Sequence, residues 1–134
     1  MKKKASFSWC DRHVALPGPY VTLVRSEADF LAAVADCKAP VTSAWVGPLP
    51  ARATCHYLRN PEGELCCIVA VNFAADNTGI EIAGLLVHEA VHISQEYFER
   101  LGEREQGREQ QAYAIQMISQ ELMWEYNRQT NANA

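Results

Sequence analysis

The chain has 134 residues, enough for one compact domain and too few for two comfortable ones. Nearly half of it (49%) is hydrophobic, which supplies a core and excludes global disorder. A formal net charge of -4, with Lys2-Lys3-Lys4 as the only basic block, argues against nucleic acid as the main partner. No apolar run is long enough to span a bilayer, so no membrane association is expected.

Residues 1–19 read as an N-terminal segment that begins frayed at the three lysines and ends at the break Pro17-Gly18-Pro19. Within it, Cys10-Asp11-Arg12-His13 reads as a loop packing Trp9 against the body, in preference to a thiolate cap on a metal. The segment Tyr20-Val21-Thr22-Leu23-Val24 has the β-branched and aromatic content of a strand. Ser26 is placed as an N-cap, and Phe30, Leu31, Val34 and Ala35 give a short amphipathic helix to about Cys37. Residues 41–46 read as a second strand, ended by Gly47-Pro48-Leu49-Pro50. Residues 52–59 and 65–73 are two β-type runs joined by the turn Asn60-Pro61-Glu62-Gly63-Glu64, which makes a hairpin. The second run is apolar on both faces, as a central, covered strand must be.

Five cysteines, an odd number at no metal-site spacing, follow a start that runs into Ser8-Trp9-Cys10-Asp11-Arg12 and not into an apolar leader. They are expected to be reduced thiols in a cytoplasmic protein.

The most informative stretch is His88-Glu89-Ala90-Val91-His92, inside a helical pattern over residues 79–101. Two histidines four apart stand one turn above each other, roughly 40° apart about the axis, so both imidazoles can reach one metal ion. Glu89, roughly 100° round from His88, is placed to hold a metal-bound water and not to ligate the metal. On a helical wheel Ala83, Leu86, Val87, Ala90, Val91, Ile93, Tyr97, Phe98 and Leu101 spread over the far side, while Glu81, His88, His92, Gln95 and Glu99 share the near side. A helix apolar over so much of its girth is expected to be buried, with its polar stripe facing a cleft.

A polar connection from Gly102 to Gly107 leads to a second long helix, residues 108–126, and then a polar tail, 127–134, expected to be flexible. A catalytic zinc takes three protein ligands and keeps one place open, so a third donor is required beside His88 and His92. The second wheel puts Glu121 and Glu125 on the solvent side. It puts Glu109 in a narrow polar seam with Gln116, Gln120 and Asn127, flanked by apolar residues. A carboxylate there wants a partner, and a metal ion would supply one. Glu105, one turn earlier, stays open as the rival.

His88-Glu89-x-x-His92 followed by Glu109-x-x-Ala112-Tyr113 on a second helix resembles the gluzincin, thermolysin-like arrangement of zinc metallopeptidases, closest to minimal, single-domain, phage- or prophage-type members. The resemblance covers about residues 65–126 and lacks the Asn-Glu-x-x-Ser-Asp form that larger members carry around the third ligand. It implies one α+β, zincin-like domain spanning residues 1–134, with an antiparallel or mixed sheet packed on a buried active-site helix and a second long C-terminal helix. By that resemblance one Zn2+ is held by His88, His92 and Glu109, Glu89 is the general base that activates the zinc-bound water, and a peptide or protein is the substrate. Tyr113 could hydrogen-bond the developing oxyanion, and an extended peptide could lie antiparallel to an exposed strand edge. The alternative is a zinc-bearing structural or regulatory module that keeps the fold without proteolysis.

Overall fold

The computed structural model describes residues 5–12, 18–48, 52–103, 105 and 107–131. Lys2-Lys3-Lys4, His13, Pro17, Leu49-Pro50 and the last three residues of the tail lie outside the described residues. The fold is α+β, and its described elements are β1 (Tyr20–Val24), α1 (Glu27–Asp36), β2 (Ala53–Arg59), β3 (Leu65–Val71), α2 (Gly79–Arg100) and α3 (Arg108–Asn131).

The three strands form one mixed sheet in the order β1-β3-β2, with β1 parallel and β2 antiparallel to β3. The central place of β3 explains its composition. Leu65, Cys67, Val69 and Val71 face one layer, while Cys66, Ile68 and Ala70 face the other, and all seven residues are buried. The first layer is α2 and α3, contributing Leu86, Ala90, Ile93, Tyr97, Phe98, Ala114, Ile118 and Leu122. The second is α1, contributing Phe30, Ala33 and Val34, with Phe7 and Trp9 packed beside them.

Helix ends follow the local sequence. Ser26 caps α1 by accepting from the Asp29 N–H, and Thr78 and Glu81 form a reciprocal capping box at the start of α2. The chain leaves α2 through Gly102 at φ 76°, a left-handed turn that glycine adopts without a Cβ clash. The connection 101–107 is too short to recross a 22-residue helix of about 33 Å, so α3 folds back antiparallel against α2.

Three expectations are corrected. Residues 41–46 form no strand. They are irregular chain held to β2 by side chains, with the Gly47 N–H donating to Thr54 Oγ1 (2.9 Å) and His56 Nε2 paired with the Trp45 carbonyl (2.8 Å). Helix α3 runs on to Asn131, because Gln129 is fully buried and donates to the Leu23 carbonyl at the edge of β1 (2.8 Å). The face of α3 that turns inward is Ala114, Ile118, Leu122, Glu125 and Gln129, so Glu121 and Glu125 are buried while Glu109, Gln116 and Asn127 are exposed. Polar residues occupy the inward face because partners await them: Glu125 accepts from the Ser8 N–H, from Arg128 and from Gln129.

The two sheet edges differ. The outer edge of β1 is taken by the N-terminal segment, through the bridge Trp9↔Thr22 and the Cys10 N–H to Val21 carbonyl bond. On β2, the Asn72 N–H bonds the Arg52 carbonyl and the Asn60 N–H bonds the Glu64 carbonyl. These bonds fix the even-numbered residues as the ones bonded to β3. Ala53, Cys55, Tyr57 and Arg59 turn their backbone groups outward, and those groups have no backbone partner among the described residues. Among the described residues the outer edge of β2 has no strand partner.

Candidate active site on helix α2

The capping box fixes where α2 begins and hence which residues share each face. From that start His88 and His92 both project to solvent from the middle of the helix. Their ring centroids stand 4.8 Å apart with planes crossed at 78°. Gln95 Oε1 lies 3.0 Å from His92 Nδ1. With the amide oxygen accepting, Nδ1 is the donor of this contact and Nε2 is the nitrogen left to face a metal. Nitrogen donors in this disposition suit a borderline cation such as zinc.

Glu89 turns the other way. It is 7% exposed, under the sheet and beside Tyr57 of β2. Burial raises its pKa above the ordinary carboxylate value, and the nearby charges of His88 and His92 pull part of that rise back. The Tyr57 hydroxyl is also pushed up, chiefly by burial, then by the neighbouring Cys55 thiol. A buried carboxylate with a raised pKa, next to two imidazoles and beside Tyr57 of β2, has the properties of a proton acceptor.

The remaining expected residues are not gathered here. Glu109 is exposed in the first turn of α3. The antiparallel return places that turn beside the last turn of α2, about 12 Å along the axis from His92. Tyr113 is 62% exposed, and Glu105 is exposed in the connection. Among the described residues no three His, Cys, Asp or Glu side chains are grouped so that they could hold a metal ion. Beside the histidine pair, therefore, no third protein donor is in place among the described residues. The polar stripe of α2 faces solvent and not an enclosed cleft, and the apolar girth is only partly covered: Ile80 is 86% exposed and Val87 and Leu101 are exposed too.

Two residues at the site escaped sequence reasoning. Gln95 was visible on the histidine stripe, but its contact with His92 was not. Tyr57 could have been found from the alternation of β2, which puts Cys55, Tyr57 and Arg59 on the face that meets α2. The chain matches no family model, no curated protein and no solved structure.

Proposed function

We propose that this protein is a zinc-dependent peptidase. His88 and His92 are two of the zinc ligands, Glu109 is the third, and Glu89 is the general base. The observation that carries the reading is the split of one helical turn into two exposed imidazoles and one buried carboxylate with a raised pKa, beside a strand edge that has no backbone partner among the described residues.

Zinc, when bound, supplies a Lewis acid that polarises the scissile carbonyl and makes water acidic near neutral pH. The chain does the rest. The outward N–H and C=O groups of Cys55 and Tyr57 take an extended peptide as an added antiparallel strand, which sets its register over α2. Glu89 accepts the proton of the attacking water at its carboxylate and returns it to the leaving nitrogen. Gln95 holds the His92 ring in one orientation. Tyr113 is assigned the oxyanion contact. It and Glu109 belong to the exposed start of α3, which follows the Gly102 and Gly107 connection and would have to move toward the histidines.

The test is metal content and peptide cleavage on wild type, His92→Ala, Glu89→Gln, Glu109→Gln and Glu105→Gln. Wild type should hold about one zinc per chain, and His92→Ala and Glu109→Gln should lose metal and activity together. Glu89→Gln should keep its zinc and lose activity by about 10²–10⁴-fold. Metal loss in Glu105→Gln with retention in Glu109→Gln would move the third ligand to Glu105. Zinc binding without any cleavage by wild type would favour the structural module over the peptidase.

A further inference from the structure

One cavity outside the candidate site carries an excess of one charge. It has a volume of about 250 Å³ and lies where the end of β2 meets the end of α2, lined by Arg12, Arg59, Arg100, Glu64, Leu65 and Tyr97 among others. Two of its three arginines are already engaged. Arg12 lies over the Tyr20 ring (3.7 Å) and donates to the Gly18 carbonyl and to Glu64 (3.1 Å). Arg100 pairs with Glu96 at 3.0 Å. Arg59 has neither an ion pair nor a hydrogen bond among the described residues. A guanidinium free at the mouth of a cavity between two other guanidinium groups is a receptor for a carboxylate, which it can hold through two parallel N–H···O bonds.

The occupant follows from where Arg59 stands. It is the last residue of the free edge, with its backbone N–H and C=O turned outward and its side chain on the face shared by Cys55 and Tyr57. A peptide added to β2 therefore runs past Arg59, which forms one wall of this cavity. Along β2 the chain goes from Tyr57, beside Glu89, to Arg59, beside Arg100, so β2 and α2 run in the same sense. A peptide antiparallel to β2 then has its N-terminal side at the arginines. Glu89 and Arg100 are separated by about 16 Å of helix, roughly five extended residues, less the reach of the arginine side chains.

We propose that this cavity is a specificity subsite for an Asp or Glu side chain roughly three to five residues N-terminal to the bond that is cut. This rests on the peptidase reading above and names the class of peptide it acts on. The preference is electrostatic in origin, so it weakens as salt is raised.

The experiment has two arms. In the first, wild type, Arg59→Glu and Arg52→Glu digest a proteome-derived peptide library, and cleavage sites are read by mass spectrometry. Arg52 lies just before the other end of β2, so Arg52→Glu matches the charge change away from the cavity. Wild type and Arg52→Glu should enrich acidic residues on the N-terminal side by about tenfold over basic ones, and Arg59→Glu should abolish or reverse that enrichment. Equal cleavage of acidic, neutral and basic peptides by wild type, or enrichment unchanged in Arg59→Glu, overturns the subsite and leaves the peptidase standing. In the second arm, fluorescent Glu-containing and Lys-containing extended peptides of one length are titrated against Glu89→Gln and Glu89→Gln/Arg59→Glu. This arm needs no catalysis, so a library left uncut counts against the peptidase alone. Tighter binding of the Glu peptide, lost with Arg59→Glu, supports the subsite; indifference to peptide charge overturns it.

Discussion

Glu89 and its two histidines are set apart by a single turn of helix, and the consequences are energetic as well as chemical. A carboxylate with raised pKa is one whose ionised form the fold disfavours, so at neutral pH Glu89 costs stability that its neutral isostere would return. Metal-free Glu89→Gln is therefore expected to melt higher than metal-free wild type at neutral pH, by about 1–2 kcal/mol of stability, even as it loses activity. A lower melting temperature would show that the carboxylate is satisfied in the native protein and would remove the argument for a poised base. The second residue-scale case has no functional counterweight. Ser94 and Ser119 bury hydroxyl oxygens that have no hydrogen-bond partner among the described residues. Replacing either by Ala removes an unpaid polar burial while keeping most of the packing volume. Calorimetry on Ser94→Ala should show a gain of about 1 kcal/mol, and a loss would reveal a partner for that hydroxyl.

Elements built on strong local periodicity were legible in the sequence, and those decided by distant partners were not. Tyr20–Val24, the hairpin strands and the capped start of α2 are written locally, in β-branched runs, a Pro-Glu-Gly turn and a Thr78/Glu81 box. Residues 41–46 look like a strand but find no backbone neighbour among the described residues; their segment meets β2 only through the side chains of Thr54 and His56. The wheel of α3 failed for a related reason. A wheel ranks faces by hydrophobicity, whereas Glu125 and Gln129 are drawn inward by the Ser8 N–H and the Leu23 carbonyl, more than a hundred residues away in the chain. The same error put Glu109 inside and so made it look like a ligand held ready. At the site, the spacing of His88, Glu89 and His92 was legible because one helix sets it, while Tyr57 and Arg59 depend on strand register. The buried network gives its own prediction. Glu125→Ala leaves the Ser8 N–H and the Gln129 amide without their acceptor, so stability should fall by about 2–4 kcal/mol. Limited proteolysis should then cut first near residues 6–12, because that segment is tied to α3 through this carboxylate; unchanged protection there would contradict the tie.

At the scale of the whole molecule the sheet layers hold five thiols, and these give the fold a pH limit. All five cysteines are free, with Cys37, Cys66 and Cys67 buried and Cys10 and Cys55 partly so. Burial, followed by the charges of Glu121 and Glu125, pushes Cys10 up to about 12. Burial, with Cys66 beside it, pushes Cys37 to about 12. Cys67 is raised as well, first by its hydrogen bond with Cys55 and then by burial. Unfolded, these thiols would ionise near the ordinary value of 9.0. Above that pH the unfolded chain releases protons that the native chain keeps. The native state then binds more protons, and stability must fall as pH rises until the native thiols also ionise. Urea midpoints measured with reductant present should be level from about pH 7 to about pH 8.5 and then drop steadily to about pH 11. Cys10→Ala removes one contributor, so its midpoint should decline less steeply over the same interval, whatever its stability at neutral pH. Thiolate absorbance provides the independent check, since native protein at about pH 10 should show less of it than the urea-unfolded chain at the same pH. Equal absorbance in the two states would mean that the thiols between the layers are open to solvent, and the alkaline decline would then need another cause.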